Sequence, residues 1–126
     1  MTLLRRLDPL GPALLLMAAI FFFSAQPDLN SGLGLIDLIG RKVIHFAQYA
    51  LLGFLWWRAL RGRLSAGTAA LAAFLITSVY AISDELHQTF VHGRHGSPVD
   101  WAIDSAGAAL VCARLARERN RGQARR

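Results

Sequence analysis

Apolar residues fall into four runs, at 10–25, 43–57, 64–82 and 99–113, separated by short polar or glycine-bearing stretches. A helix that crosses a bilayer needs about 20 mostly apolar residues. The third run meets that length outright, and the first meets it with its flanks. The second and fourth are shorter. Each has polar residues at one end, where a headgroup layer would receive them, and arginines at the other, which can snorkel. The pattern predicts an all-α protein: a four-helix transmembrane bundle in one domain spanning 1–126, with helices near 9–26, 41–60, 65–90 and 98–117.

Turn residues mark the boundaries. Pro9 and Pro12 suit the first turn of the first helix, and Gln26-Pro27-Asp28 ends it, because proline cannot continue a helix interior. The stretch 26–40 is not plainly polar. Leu33, Leu35, Ile36, Leu38 and Ile39 point to a short segment lying in the interface. Gly62 and Gly67 bracket the next turn, and Gly93, Gly96 and Pro98 the last. Ser97 as N-cap, Pro98 at the first helical position and Asp100 at the third match a helix start resembling a capping box.

Charge orients the bundle. The chain has 14 basic residues against 8 acids, for a net charge of +6, and every basic residue except Lys42 is arginine. Arg5 and Arg6 precede the first run. Arg58, Arg61 and Arg63 follow the second, and Arg114, Arg117, Arg119, Arg121, Arg125 and Arg126 follow the fourth. Basic residues favour the cytoplasmic side, so both termini and the middle loop are expected inside. The basic tail then reads as a topology signal that attracts anionic membrane lipid. No nucleic-acid partner is expected, because no aromatic residue is interleaved in the tail to stack on bases. Arg5 and Arg6 before 13–23 also resemble a secretory signal. A cut after Ala25 would place Phe23 at the minus-three position, where a small residue is expected, so the segment reads as an uncleaved helix. The single cysteine, Cys112, reads as a small packed apolar residue.

The unusual chemistry lies in three motifs at helix ends: Lys42-x-x-His45-x-x-x-Tyr49, Asp84-Glu85-x-x-Gln88 and Asp100-x-x-x-Asp104. Residues three, four and seven apart share a helix face. Lys42, His45, Tyr49 and Gly53 therefore form one stripe, Thr77, Tyr80, Asp84, His87 and Gln88 a second, and Asp100, Asp104 and Gly107 a third. Gly53 would let another backbone approach closely. The assigned topology puts all three polar ends at the outer membrane level. Ionisable groups at membrane depth are costly unless they face inward and pair. Lys42 could instead be a snorkelling anchor, Tyr49 part of an aromatic belt and Asp100 a cap. Capping does not account for Asp104. Arg94 is the expected partner of Asp84 or Glu85. If Lys42, Arg94, Asp84, Glu85, Asp100 and Asp104 gather, acids outnumber cations, a balance that a proton, a cation or an amine-bearing ligand would relieve. No cofactor is expected. A divalent metal on His87, His92 and His95 with Asp84 or Glu85 is the less favoured reading, because no standard ligand spacing is present.

At these same residues the chain resembles the VanZ-like family of small bacterial integral membrane proteins. The resemblance covers nearly the whole chain. Its marks are Ser24-x-Gln26-Pro27, Lys42-x-x-His45-x-x-x-Tyr49-x-x-Leu52-Gly53, Ser83-Asp84-Glu85-x-x-Gln88-x-Phe90-x-x-Gly93-Arg94 and Asp100-x-x-x-Asp104-x-x-Gly107. Two positions depart from the family pattern. His92 stands where proline is common. Asp104 stands where asparagine is common, which fits a protonated or hydrogen-bonding Asp104 better than a general base. The resemblance implies a multi-pass protein of the bacterial cytoplasmic membrane. It also implies a link to the cell envelope through the family's association with glycopeptide (teicoplanin) resistance.

The expected function is an outward-facing polar pocket that binds or modifies a cell-envelope molecule, lipid-linked or anionic. Lys42 and Arg94 would hold the anion, with Tyr49, Gln88, Asp100 and Asp104 lining the site. Glu85 or Asp84 would serve as general acid or base with His45 as proton partner. No nucleophile motif is visible, so binding without chemistry stays open. The alternatives are a transport or ion-coupling subunit, and a scaffold whose buried ion pairs fix helix register.

Overall fold

The computed structural model describes residues 10–25, 34–91 and 98–124. They form four helices: α1 (Gly11–Ser24), α2 (Leu35–Leu60), α3 (Ala66–Gln88) and α4 (Pro98–Ala124). No strand occurs among the described residues. Local sequence explains each start. Pro12 occupies the first turn of α1, where a missing N–H costs nothing. Gly34 precedes α2 at φ 58°, a left-handed conformation that glycine enters without steric cost. Ser65 caps α3: its hydroxyl accepts from the Thr68 backbone N–H at 3.4 Å and donates to the Thr68 hydroxyl at 2.8 Å.

The contacts define an up-down-up-down order. Lys42 meets Asp100 near the start of α2 and α4, and Arg61 meets Arg119 at the far end, so these two helices run parallel. Tyr49 bonds to Asp84 and Ser105 to Ser78, which sets α3 antiparallel to both. On α1, Met17 contacts Tyr80 and Ser24 contacts Gln88, so α1 runs parallel to α3. Gly11 and Ala124 therefore lie at the same end of the bundle as the α2–α3 turn.

Glycine sets the closest approach. A Cβ on Gly107 would lie 2.6 Å from the Phe46 carbonyl oxygen, so α4 touches the α2 backbone there. Gly53 faces Ala108 and Cys112 at van der Waals distance, as expected of a glycine on that stripe.

The helices carry most of their large apolar side chains outward, with Ile20, Leu52 and Trp57 as buried exceptions. On α3, Leu71, Leu75, Val79, Ile82 and Leu86 are exposed. Its buried face is Ala69, Ala70, Ala73, Thr77, Ser78, Ala81, Asp84, Glu85 and Gln88. The other helices add Leu15, Phe22, Ile36, Val43, Ile44 and Leu110 to the exposed apolar surface. α3 is 23 residues long and contains an 18-residue stretch with a mean hydropathy of 1.6, enough by length and composition to cross a membrane; α1 is apolar but has 14 residues. At about 1.5 Å per residue, α3 is about 35 Å long, against about 30 Å of bilayer hydrocarbon.

Two boundaries differ from the sequence expectation. α2 begins at Leu35, not near 41, so the segment read as lying flat in the interface is the first turns of the helix. Leu35, Ile36 and Ile39 point outward there, continuing the exposed apolar face of Val43. Gly40 sits inside the helix with open space around it, so nothing forces a break. α4 runs to Ala124, past the expected end near 117. Arginine is a good helix former, and Arg114 reaches Glu118 one turn on at 3.4 Å. The start of α3 falls where expected, with Ser65 as its cap and Gly67 in its first turn.

Candidate functional site

Three polar pairs descend in order from the bundle end where α2 and α4 begin. At the mouth, the Lys42 ammonium donates to Asp100 Oδ1 at 2.7 Å, with both side chains about one-third exposed (38% and 32%). One turn deeper, His45 Nδ1 lies 3.4 Å from Asp104 Oδ1. A further turn down, the Tyr49 hydroxyl donates to Asp84 Oδ2 at 2.9 Å, and Tyr49 is fully buried. Seven residues of α2 separate Lys42 from Tyr49, about 10 Å of helix. The spacing of three and four along α2, and of four along α4, makes this ladder possible.

The lower rungs are well satisfied. Ser78 and Ser105 share a hydrogen bond at 3.0 Å, and the Trp101 indole N–H donates to the Ser78 carbonyl oxygen at 3.2 Å. On the α1 side, the Gln88 amide donates to the Ser24 hydroxyl at 2.9 Å, and the Tyr80 hydroxyl donates to the Met17 carbonyl oxygen. His87 stacks on Phe21 with ring centroids 4.6 Å apart. Asp84 and Glu85 are both buried, at 4% and 7% exposure. Adjacent residues point about 100° apart on a helix, so burying both requires neighbours on two sides of α3, and it has them.

Not every buried polar atom is paired: Thr77 Oγ1 and His87 Nδ1 lack a hydrogen-bond partner, and Asp104 is the acid that lacks one on both oxygens. It has no solvent exposure, and neither carboxylate oxygen has a hydrogen-bond partner. His45 Nδ1 is near but not aligned to donate. Leaving a buried polar group unsatisfied costs about 1–3 kcal/mol, more for a charged one. A group kept for structure alone would be expected to have donors around it. The His45–Asp104 pair can hold one proton between them, and the second imidazole nitrogen remains to exchange it. Asp104 can also accept a hydrogen bond from a hydroxyl or ammonium group.

The structure therefore gathers Lys42, His45, Tyr49, Asp84, Glu85, Gln88, Asp100 and Asp104 at one end of the bundle, though not as one set of contacts. Gln88 faces α1 through Ser24, while Lys42, His45 and Tyr49 face the other side. Asp100 sits in the first turn of α4, and its carboxylate binds Lys42; the capping partner expected for it, Ser97, is not among the described residues. Arg94, His92, His95 and Ser97 lie outside the described residues. Among the described residues no three His, Cys, Asp or Glu side chains gather in metal-ligating geometry. Sequence reasoning missed Ser78 and Ser105 as a buried pair, and it left Ser24 without a structural partner. Two serines in apolar helices carry too weak a signal to pair without coordinates.

No curated protein and no solved structure matches this chain. The VanZ/LLP1 family model matches residues 10–115, which contain all four helices up to the arginine-rich extension of α4 and every rung of the ladder. With the match covering most of its length, the chain belongs to the VanZ/LLP1 family.

Proposed function

We propose that this chain is a multi-pass protein of the bacterial cytoplasmic membrane, and that its polar end receives the headgroup of an anionic or lipid-linked cell-envelope molecule. The exposed leucines, isoleucines and phenylalanines around a core of alanine, serine, threonine and acid support lipid contact. Water would favour the reverse arrangement. Arg58, Arg61, Arg63, Arg114, Arg117, Arg119 and Arg121 all fall toward the end that also holds Gly11 and Ala124. The positive-inside rule then faces that end to the cytoplasm and the ladder outward.

The observation that carries the binding role is Asp104, fully buried and lacking a hydrogen-bond donor on either oxygen. In this reading, a ligand anion draws Lys42 from Asp100 at the mouth. A hydroxyl or ammonium group on the same ligand reaches His45 and Asp104 one turn below. If a reaction occurs, Glu85 or Asp84 and His45 are the groups able to move a proton.

A second reading, a scaffold, draws support from the completed Lys42–Asp100 and Tyr49–Asp84 bonds, which can fix helix register without any ligand. A charge swap, Lys42→Asp with Asp100→Lys, that restored both fold and bound lipid would favour the scaffold. A transport path through one copy draws less support. Below the ladder the bundle is packed with Trp57, Ala69, Ala70, Ala73 and Cys112.

The test has two parts. In a Cys112→Ala background, impermeant thiol reagents should label cysteines placed at 42 and 45 from outside intact cells, and cysteines at 117 and 121 only after permeabilisation. Mass spectrometry of the purified chain should then find a co-purified envelope lipid that is lost in His45→Ala and in Glu85→Gln. Labelling of the two sets from the same side, or lipid retained in both variants at normal expression, would reject the reading.

A further inference from the structure

The arginine end of the bundle holds a feature that the ladder does not use. An open cavity of about 520 Å³ lies between the last turn of α2 and the late turns of α4, lined by Trp57, Arg61, Gly62, Leu115, Glu118 and Arg119. From its geometry we propose that this cavity binds the phosphate of an anionic glycerophospholipid of the inner leaflet. The proposal rests on the membrane orientation above but not on the ladder.

The two guanidinium groups are positioned without a carboxylate partner among the contacts that hold them. The Arg61 guanidinium lies over the Trp57 ring, 5.2 Å from its centroid. Arg119 Nη1 donates to the Arg61 carbonyl oxygen at 3.3 Å. Each keeps further N–H groups for an anion, and the guanidinium fork suits two phosphate oxygens at once. The carboxylate of Glu118, the acid in the lining, lies 3.4 Å from the Arg114 guanidinium Nε, so its charge is partly offset.

A helix C-terminus normally repels anions through its free carbonyls. Here three of the last carbonyls, those of Trp57, Leu60 and Arg61, are taken up. The Arg61 N–H bonds to the Trp57 oxygen, the Arg63 and Leu64 N–H groups bond to the Leu60 oxygen, and Arg119 bonds to the Arg61 oxygen. The remaining wall is apolar. Trp57 and Leu115 form it, and Phe54, which stacks on Trp57 and is exposed, continues it onto the perimeter of the bundle. A phosphate carrying acyl chains matches this arrangement, with the anion on Arg61 and Arg119 and the glycerol and upper chain along Trp57 and Leu115. A free phosphate would leave the apolar wall unused.

The experiment titrates the full chain in detergent with phosphatidylglycerol, phosphatidylcholine and inorganic phosphate, reading bound lipid by native mass spectrometry and Trp57-weighted fluorescence. Wild type should prefer phosphatidylglycerol over phosphatidylcholine by about tenfold, with no displacement by millimolar inorganic phosphate. Arg61→Gln with Arg119→Gln should weaken phosphatidylglycerol binding about tenfold or more. Arg117→Gln with Arg121→Gln removes the same charge outside the cavity and should change it less than about twofold. Glu118→Gln, a mild change on the exposed side of α4, should tighten binding about twofold and guards against loss of fold in the double variant. Equal weakening by the two arginine pairs, equal binding of the two lipids, displacement by inorganic phosphate, or no gain from Glu118→Gln would overturn the proposal. His45→Ala should leave this binding unchanged, which separates it from the lipid expected at the ladder.

Discussion

The two halves of the bundle hold the same helices together by different means. At the ladder end, α2, α3 and α4 are joined by directed bonds between long polar side chains, Lys42 to Asp100 and Tyr49 to Asp84. At the arginine end, they are joined by shape: alanines at 69, 70 and 73 receive Trp57, and Cys112 fills the gap. Packing of small residues needs only close approach. Directed bonds need every donor and acceptor matched, and a single mismatch is expensive in a low-dielectric core. The ladder contains such a mismatch at Asp104, an acid, while in the packed half the unpaired buried groups are the neutral indole N–H of Trp56 and Trp57. The difference separates a half held mainly by packing from one that keeps an unsatisfied carboxyl group available.

The largest effect should come where α4 touches the α2 backbone beside the ladder. Gly107→Val would drive side-chain carbons into the Phe46 carbonyl, where even a Cβ would lie 2.6 Å away. Overpacking of this kind costs about 3 kcal/mol or more. Thermal unfolding in detergent should show a large loss, or the protein should fail to accumulate. Next, Tyr49→Phe removes the donor to the buried Asp84 and should cost about 2 kcal/mol by the same measurement. In the packed half, Cys112→Ala removes one buried sulfur and should cost about 1 kcal/mol, with no effect on lipid retained at the ladder. Lys42→Gln should cost least, under about 1 kcal/mol, because its pair with Asp100 is one-third exposed. If Cys112→Ala exceeded Tyr49→Phe, the contrast between bonded and packed halves would be lost.

Much of this was legible in the sequence, and the legible part follows from periodicity. Four apolar runs located four helices. The spacing of Lys42, His45 and Tyr49 put them on one face, and the spacing of Asp100 and Asp104 put them on another. Gly53 was readable as a close-approach site because it shares the Tyr49 stripe. Pairing across helices was not legible. The sequence assigned Asp100 to a cap and Lys42 to an anion, while the structure joins them, because the offset between α2 and α4 is a tertiary quantity. The start of α2 was misplaced by about two turns, since Gly40 reads as a breaker and only its open surroundings show that it need not be one. The arginine-rich stretch after 117 looked like a tail because charge was read as an end signal. Arginine propagates a helix as well as it marks a membrane side.

Asp104→Asn replaces the buried carboxyl group and keeps its shape, so it separates ligand binding from structural support. The variant should unfold at the same temperature as wild type or slightly higher, while the lipid that co-purifies through the ladder end disappears from its mass spectrum. A variant that unfolds several degrees lower and still carries that lipid would show Asp104 to be a structural tie, and would contradict the assignment of the ladder as a binding site.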